Sequence, residues 1–225
     1  MEGLADTGRT GMLTGMSGIH MGIFSSVFGV GLGVASLIGY VRWQRWKQQL
    51  KTWQDFANTR GWSFVAKPGF MYSAGTMEMK GRHAGRTITV ETEHRGFGRH
   101  FHIVTIIRHG LGDGFPREVT IRPETLGDTF LRLFGVKDED IGDASLDNAL
   151  DLRNVTPKAR AFLLGAGMRR PLLDLARVFE TFAIENGVLT VEVIAVPRTP
   201  IEMYGLLTPV RELADAVRGA RGDTD

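Results

Sequence analysis

Five of the six histidines fall between positions 83 and 109. Imidazole is the side chain that serves both as a general base near neutral pH and as a neutral metal ligand, so this is where chemistry is sought first. The run HRGFGRHFH sets His94, His100 and His102 around a glycine-rich turn. If Arg95 to Arg99 form the hairpin loop and residue 94 pairs with residue 100, all three imidazoles share one face of a sheet, because residues two apart on a strand point the same way. Three imidazoles so placed could hold zinc with an open coordination position, as in a metal-assisted hydrolase. A one-residue slip sends the partner strand's residues to the other face. The competing account is a set of solvent-facing histidines at strand ends, and no metal or cofactor is assigned from the pattern.

Other chemistry-bearing patterns fail on spacing. KDEDIGDASLD carries Asp138, Asp140, Asp143 and Asp147, but it lacks the D-x-[DN]-x-[DN]-G order and closing glutamate of a calcium loop, so turn chemistry is the better reading. Ser73 lies in YSAGT without the glycine that precedes a hydrolase nucleophile, and no H-E-x-x-H is present. With no cysteine in the chain, a disulfide framework, a thiolate nucleophile and Cys-ligated metal are excluded. A net charge of +2 with mixed signs is a weak footprint for nucleic acid, and none is expected as a partner. The sequence identifies no enzyme.

The elements that would carry these residues begin with a long apolar stretch. No Asp, Glu, Lys or Arg occurs from Thr10 to Val41. The part from Ile19 to Val41 would span about 34 Å as a helix, enough to cross a hydrocarbon core of about 30 Å. Within it FGVGLGVAS has glycines at 29, 31 and 33. A dinucleotide loop needs a different glycine spacing, a preceding strand and an amphipathic helix behind it, so the segment reads as a transmembrane anchor. RWQRWKQQLK follows, with Arg42, Arg45 and Lys47 on the flank expected to face the cytoplasm, and Trp43 and Trp46 as interfacial anchors, the blander account being that tryptophans on a helix pack against a core. Gly22, Ser26, Gly29, Gly33 and Ser36 form one small-residue stripe, and Gly31, Ala35 and Gly39 a second. Such stripes allow close packing on another span, so self-association or a protein partner in the bilayer is expected.

Beyond the anchor, Leu50, Trp53, Phe56 and Ala57 mark one side of a helix ending near Gly61. GTMEMKGRH, GRTITVETEH, HFHIVTIIRH and REVTIRP then alternate between glycine-rich breaks, predicting an antiparallel meander. PETLGDTFLRLFG and MRRPLLDLARVFE have helical spacing. Thr156-Pro157 and Thr208-Pro209 each read as an N-cap followed by proline at the first helical position. Asn186-Gly187 predicts a type I′ hairpin. The fold class is α+β, an antiparallel sheet packed with helices, rather than a βαβ repeat. The expected organisation is a polar tail over 1–18, a span over 19–41, a basic amphipathic helix over 42–60, the α+β domain over 61–220 and a disordered tail over 221–225.

GRHAGRTITVETEH, REVTIRPE, DIGDASLDNALDL and ARAFLLGAGMRRPLLDLARVFETFAIENGVLTVEV, in that order, resemble a bacterial family of membrane-anchored domains of unknown function. Its G-D-x-x-[FL]-D-x-x-[FL] core corresponds to Gly142, Asp143, Leu146, Asp147 and Leu150, followed by a short helix and a final hairpin. The resemblance covers about residues 50 to 217 and implies a fold and an anchored bacterial context, with no activity. The function expected is a single-pass inner-membrane protein, N-terminus outside, presenting a cytoplasmic α+β interaction or adaptor domain to an assembly. The alternatives are a membrane-tethered metal-dependent hydrolase using the histidine face and a domain that binds lipid surfaces.

Overall fold

The computed structural model describes residues 18–69, 75–96, 102–124, 140–165 and 167–222, with backbone alone for 18–36 and 221–222. The chain divides into two units, Met1–Arg45 and Trp46–Asp225. Helix α1 covers Gly18–Thr59. In the first unit its described apolar side chains face solvent: Leu37, Ile38, Tyr40, Val41 and Trp43 are all exposed. Among the described residues no helix is long and apolar enough to cross a membrane. Most of the run expected to do so, with the stripe Gly22, Ser26, Gly29, Gly33 and Ser36, has side chains outside the described residues, as does the tail over 1–17.

The second unit is α+β. Eight strands form one sheet: β1 (Ser63–Lys67), β2 (Thr76–His83), β3 (Arg86–Arg95), β4 (His102–Gly110), β5 (Thr120–Pro123), β6 (Leu150–Arg153), β7 (Phe182–Glu185) and β8 (Val188–Val193). Their order is β1-β2-β3-β4-β8-β7-β5-β6, and the pairings are antiparallel throughout. The helices are α2 (Ala144–Asp147), α3 (Pro157–Leu163), α4 (Arg169–Val178) and α5 (Pro200–Gly222). The helix expected over PETLGDTFLRLFG falls largely on 125–139, outside the described residues.

Alternation sorts the sheet into an inner and an outer face. Met77, Met79, Ile88, Val90, Ile107, Leu189 and Val191 line the inner one and are buried with Trp53, Phe56 and Ala57 of α1 and Met203, Leu207, Val210, Leu213 and Val217 of α5. Gly81 is the gap in this lining. The indole of Trp62 occupies the place of its missing side chain, 2.2 Å from where a Cβ would stand. Trp53 donates its Nε1–H to the Pro197 carbonyl at 3.1 Å, satisfying the one polar atom of a ring with no exposure to water. The outer face carries ion pairs, Arg108 with Glu91, Arg95 with Glu93 and Arg122 with Glu185. Each such exposed pair adds at most about 1 kcal/mol.

Local chemistry explains the turns. Asn186 and Gly187 take φ of 53° and 70°, and Glu185 pairs with Val188, the two-residue hairpin that Asn-Gly predicts. Thr156 caps α3 by accepting from the Ala159 N–H, with Pro157 in the first turn. The same reading at Thr208-Pro209 is corrected. α5 starts at Pro200, where Thr199 accepts from the Glu202 N–H and Glu202 accepts from the Arg198 N–H. Pro209 lies inside the helix. Thr208 donates its hydroxyl to the Tyr204 carbonyl instead of capping, and the buried stripe from Met203 to Val217 holds the helix through the hydrogen bond that proline removes. α5 also runs to Gly222, into the tail expected from 221.

The Gly142-to-Leu150 motif is a folding device. Asp143 caps the one-turn α2 by accepting from the Ser145 and Leu146 N–H groups, and Arg169 donates to its other oxygen at 2.6 Å. That arginine holds the Asp143 carboxyl below its usual range, with the two backbone N–H groups helping against desolvation. Buried Asp147 reaches back to accept from Ile141 N–H at 3.0 Å and Gly142 N–H at 3.1 Å. Leu146 and Leu150 fill the core beneath. Asp147→Ala leaves both donors without this acceptor and should lower unfolding free energy by about 2 to 4 kcal/mol in a denaturant titration. A change below about 0.5 kcal/mol, the range of an ordinary surface substitution, would contradict this role.

Candidate functional site

One end of the inner face turns from aliphatic to basic. β2 and β3 are joined by Ala84-Gly85 with φ of 51° and 77°, and this tight turn pairs His83 with Arg86. Gly81 pairs with Ile88 and Ile88 with His109, so His83, Arg86 and His109 project to the same face, the one that α5 covers. Over them α5 brings Arg211, Ala214, Asp215, Val217 and Arg218, which share a helix face at three- and four-residue spacing.

The histidine rings meet edge to face, with centroids 5.8 Å apart. Arg211 donates its Nε–H to His83 Nδ1 at 3.2 Å. A guanidinium only donates, so His83 Nδ1 is the acceptor and a neutral ring carries its proton on Nε2. That Nε2 lies 3.2 Å from Asp215 Oδ2 without the alignment of a hydrogen bond. His109 places Nδ1 2.8 Å from the Gly110 carbonyl. A carbonyl only accepts, so Nδ1 holds the proton and Nε2 presents a lone pair. His109 is 1% exposed, and its Nε2 is buried without a hydrogen-bond partner. Burial holds the His109 imidazole below the usual histidine value; the Gly110 carbonyl and Asp215 oppose this, and His83 adds to it.

Beside the pair lies a cleft of about 140 Å³ lined by Ala84, Arg86, His109, Gly110, Leu111, Gly114, Ala214, Val217 and Arg218. Clefts that hold drug-sized ligands run from about 300 Å³, so this one suits only a small molecule. Arg86 lies against Gly112, where a Cβ would stand 2.6 Å from its Nε, and Gly112 has a φ of +80°. The positive φ favours glycine at that position. Asp113 is shared by Arg86 and Arg117, and Asp215 by Arg218 and His83. Hydrogen bonding from Arg117, with the charges of Arg117 and Arg86, holds the Asp113 carboxyl below its usual range. Arg86 and Arg218 are the charged side chains that line the cleft itself, each with an aspartate beside it.

The histidines singled out from the hairpin are not brought together. β3 and β4 pair His94 with Ile103 and Arg95 with His102. The expected register, 94 with 100, is off by three residues, an odd number, so His94 and His102 point to opposite faces. His100 lies outside the described residues. Among the described residues no group of three or more His, Asp or Glu is placed to hold a metal ion. Trp43 is exposed, whereas Trp46 is buried in the core, its ring 2.8 Å from the place of a Gly75 Cβ, the packing role that was its other sequence reading. Arg42 and Arg45 are exposed, as is Lys47. His83, His109, Arg211 and Asp215 were not identified from sequence; the one usable signal was a histidine directly before an Ala-Gly turn.

Comparison of the chain with protein-family models, with curated proteins and with solved structures found no match.

A depressed histidine pKa has a definite consequence for stability. Between the folded value and the unfolded one of about 6.5, the unfolded chain binds more protons, so stability is fully present above that pH and is lost as pH falls through the folded value. His109→Asn keeps an amide donor near the Gly110 carbonyl but cannot titrate. Denaturant titrations from pH 7.5 to 5 should show a shallower fall in stability for this variant than for the wild type. An identical slope would contradict the assignment.

Proposed function

We propose that the chain is a single-pass protein of the bacterial inner membrane, with its N-terminus outside and its α+β domain in the cytoplasm, where the domain serves as an adaptor or assembly subunit. The supporting observation is the apolar surface of α1 over Leu37, Ile38, Tyr40, Val41 and Trp43, which faces water in the isolated chain. A contiguous apolar face on a helix is a contact surface awaiting a partner, and lipid is the partner that suits one continued by a charge-free sequence back to Thr10. Arg42, Arg45 and Lys47 set the orientation through the excess of positive charge on one flank. They also favour anionic headgroups by about 1 kcal/mol each. The stripe Gly22, Ser26, Gly29, Gly33 and Ser36 is the surface for a second span, of another copy or of a partner protein. The resemblance to the membrane-anchored domain family fits this reading.

The metal-hydrolase alternative loses the shared histidine face on which it rested. The test is alkaline carbonate extraction of membranes from cells expressing the full chain, with a reporter fused after Asp225. The chain should stay in the membrane pellet and the reporter should be active on the cytoplasmic side. Replacing Arg42, Arg45 and Lys47 by glutamate should scramble or invert the orientation. Release of the full chain by carbonate, or an external reporter in the wild type, would contradict the proposal.

A further inference from the structure

We propose that the cleft between the β2–β3 turn and α5 binds a compact oxyanion that retains a proton, hydrogen phosphate being the type. The site has three parts. Arg86, on β3, and Arg218, on α5, stand on two walls of the cleft, and a guanidinium presents the planar pair of donors that matches the edge of an oxyanion. His109 forms the floor, buried, with its Nε2 lone pair unpartnered. Gly112 keeps the space in which the Arg86 side chain lies.

These parts ask for a particular ligand. An anion is suited by the two guanidinium groups, Arg86 and Arg218, that line the cleft. A compact one is required by a volume of about 140 Å³. A ligand hydroxyl is required by His109, because its Nδ1 proton is already committed to the Gly110 carbonyl. The buried Nε2 lone pair would repel a bare oxyanion brought against it and accept a hydrogen bond from a protonated one. Arg86 and Arg218 have side chains 44% and 66% exposed, so both can reorient as a ligand enters. Their carboxylate partners are surface contacts at 3.6 Å and 3.1 Å, weak enough to exchange for a ligand. Sulfate matches phosphate in size and charge but keeps no proton near neutral pH, so the two anions isolate the contribution of His109.

The experiment is isothermal titration of the full chain in detergent with inorganic phosphate and, separately, sulfate, in chloride buffer of constant ionic strength. Phosphate should bind saturably and about tenfold or more tighter than sulfate, the discrimination expected of one buried hydrogen bond that the competitor cannot make. Arg86→Gln and Arg218→Gln, both on the surface, should each weaken phosphate about tenfold or more, while Arg122→Gln on the outer face should change nothing. Circular dichroism checks that each variant is folded. A third titrant, glycerol 3-phosphate, compared with inorganic phosphate at about pH 6, where much of the monoester still keeps a proton on its phosphate, separates sources: tighter binding than inorganic phosphate assigns the site to phosphomonoester headgroups, and weaker binding assigns it to the free ion. Absence of saturable phosphate binding, equal affinity for sulfate, or affinity unchanged in folded Arg86→Gln and Arg218→Gln would each overturn the proposal.

Discussion

A single wide antiparallel sheet with one face to be taken out of water is the constraint from which the rest of the domain follows. The rows that run across β2, β3, β4 and β8 on that face, Met79 with Val90, Ile107 and Val191, are buried. Each of these side chains contributes about 1.5 to 3 kcal/mol when removed from water. The helices that remove them are chosen by pattern. α5 offers an apolar side chain at nearly every turn from Met203 to Val217, which is enough to carry a proline through its middle. Beyond its termini the layer is closed by single large rings, Trp62 over Gly81 and Trp53 tied to the Pro197 carbonyl.

The candidate site lies where that aliphatic lining ends. Along β2 the inner face reads Met77, Met79, Gly81, His83; along β3 it reads Val90, Ile88, Arg86; along β4, Ile107 then His109. Moving toward the β2–β3 turn, methyl groups give way to imidazole and guanidinium on all three strands, and α5 answers with Arg211, Asp215 and Arg218. Burying a polar group without a partner costs free energy that a hydrocarbon would not. His109 is in that position while sitting in a cleft wall that Arg86 and Arg218 also line.

The α+β class, the Asn186-Gly187 hairpin, the Thr156 cap and the α4 helix were legible because each is written in a few adjacent residues whose chemistry allows one outcome. β1 was not, because SFVAK is a short edge strand with no turn signal of its own. The hairpin histidines failed for a different reason: which face they share depends on the count of residues in a glycine-rich loop, and local propensity does not set that count. The two Thr-Pro pairs near α5 carry the same local signal. Only the glutamate following Thr199, and the burial on both sides of Pro209, separate a helix start from a helix interior. His83 and His109 meet because β3 lies between their strands, a relation that exists only once the register is set.

The candidate site depends most on the state of His109: a buried neutral imidazole, protonated on Nδ1, with an unshared electron pair on Nε2. Nitrogen-15 NMR of the full chain with labelled histidine, assigned by loss of signal in His109→Asn, reads that state directly. The expected result near neutral pH is a neutral His109 ring with its proton on Nδ1. A ring protonated on Nε2 instead, or an imidazolium at neutral pH, would contradict the account.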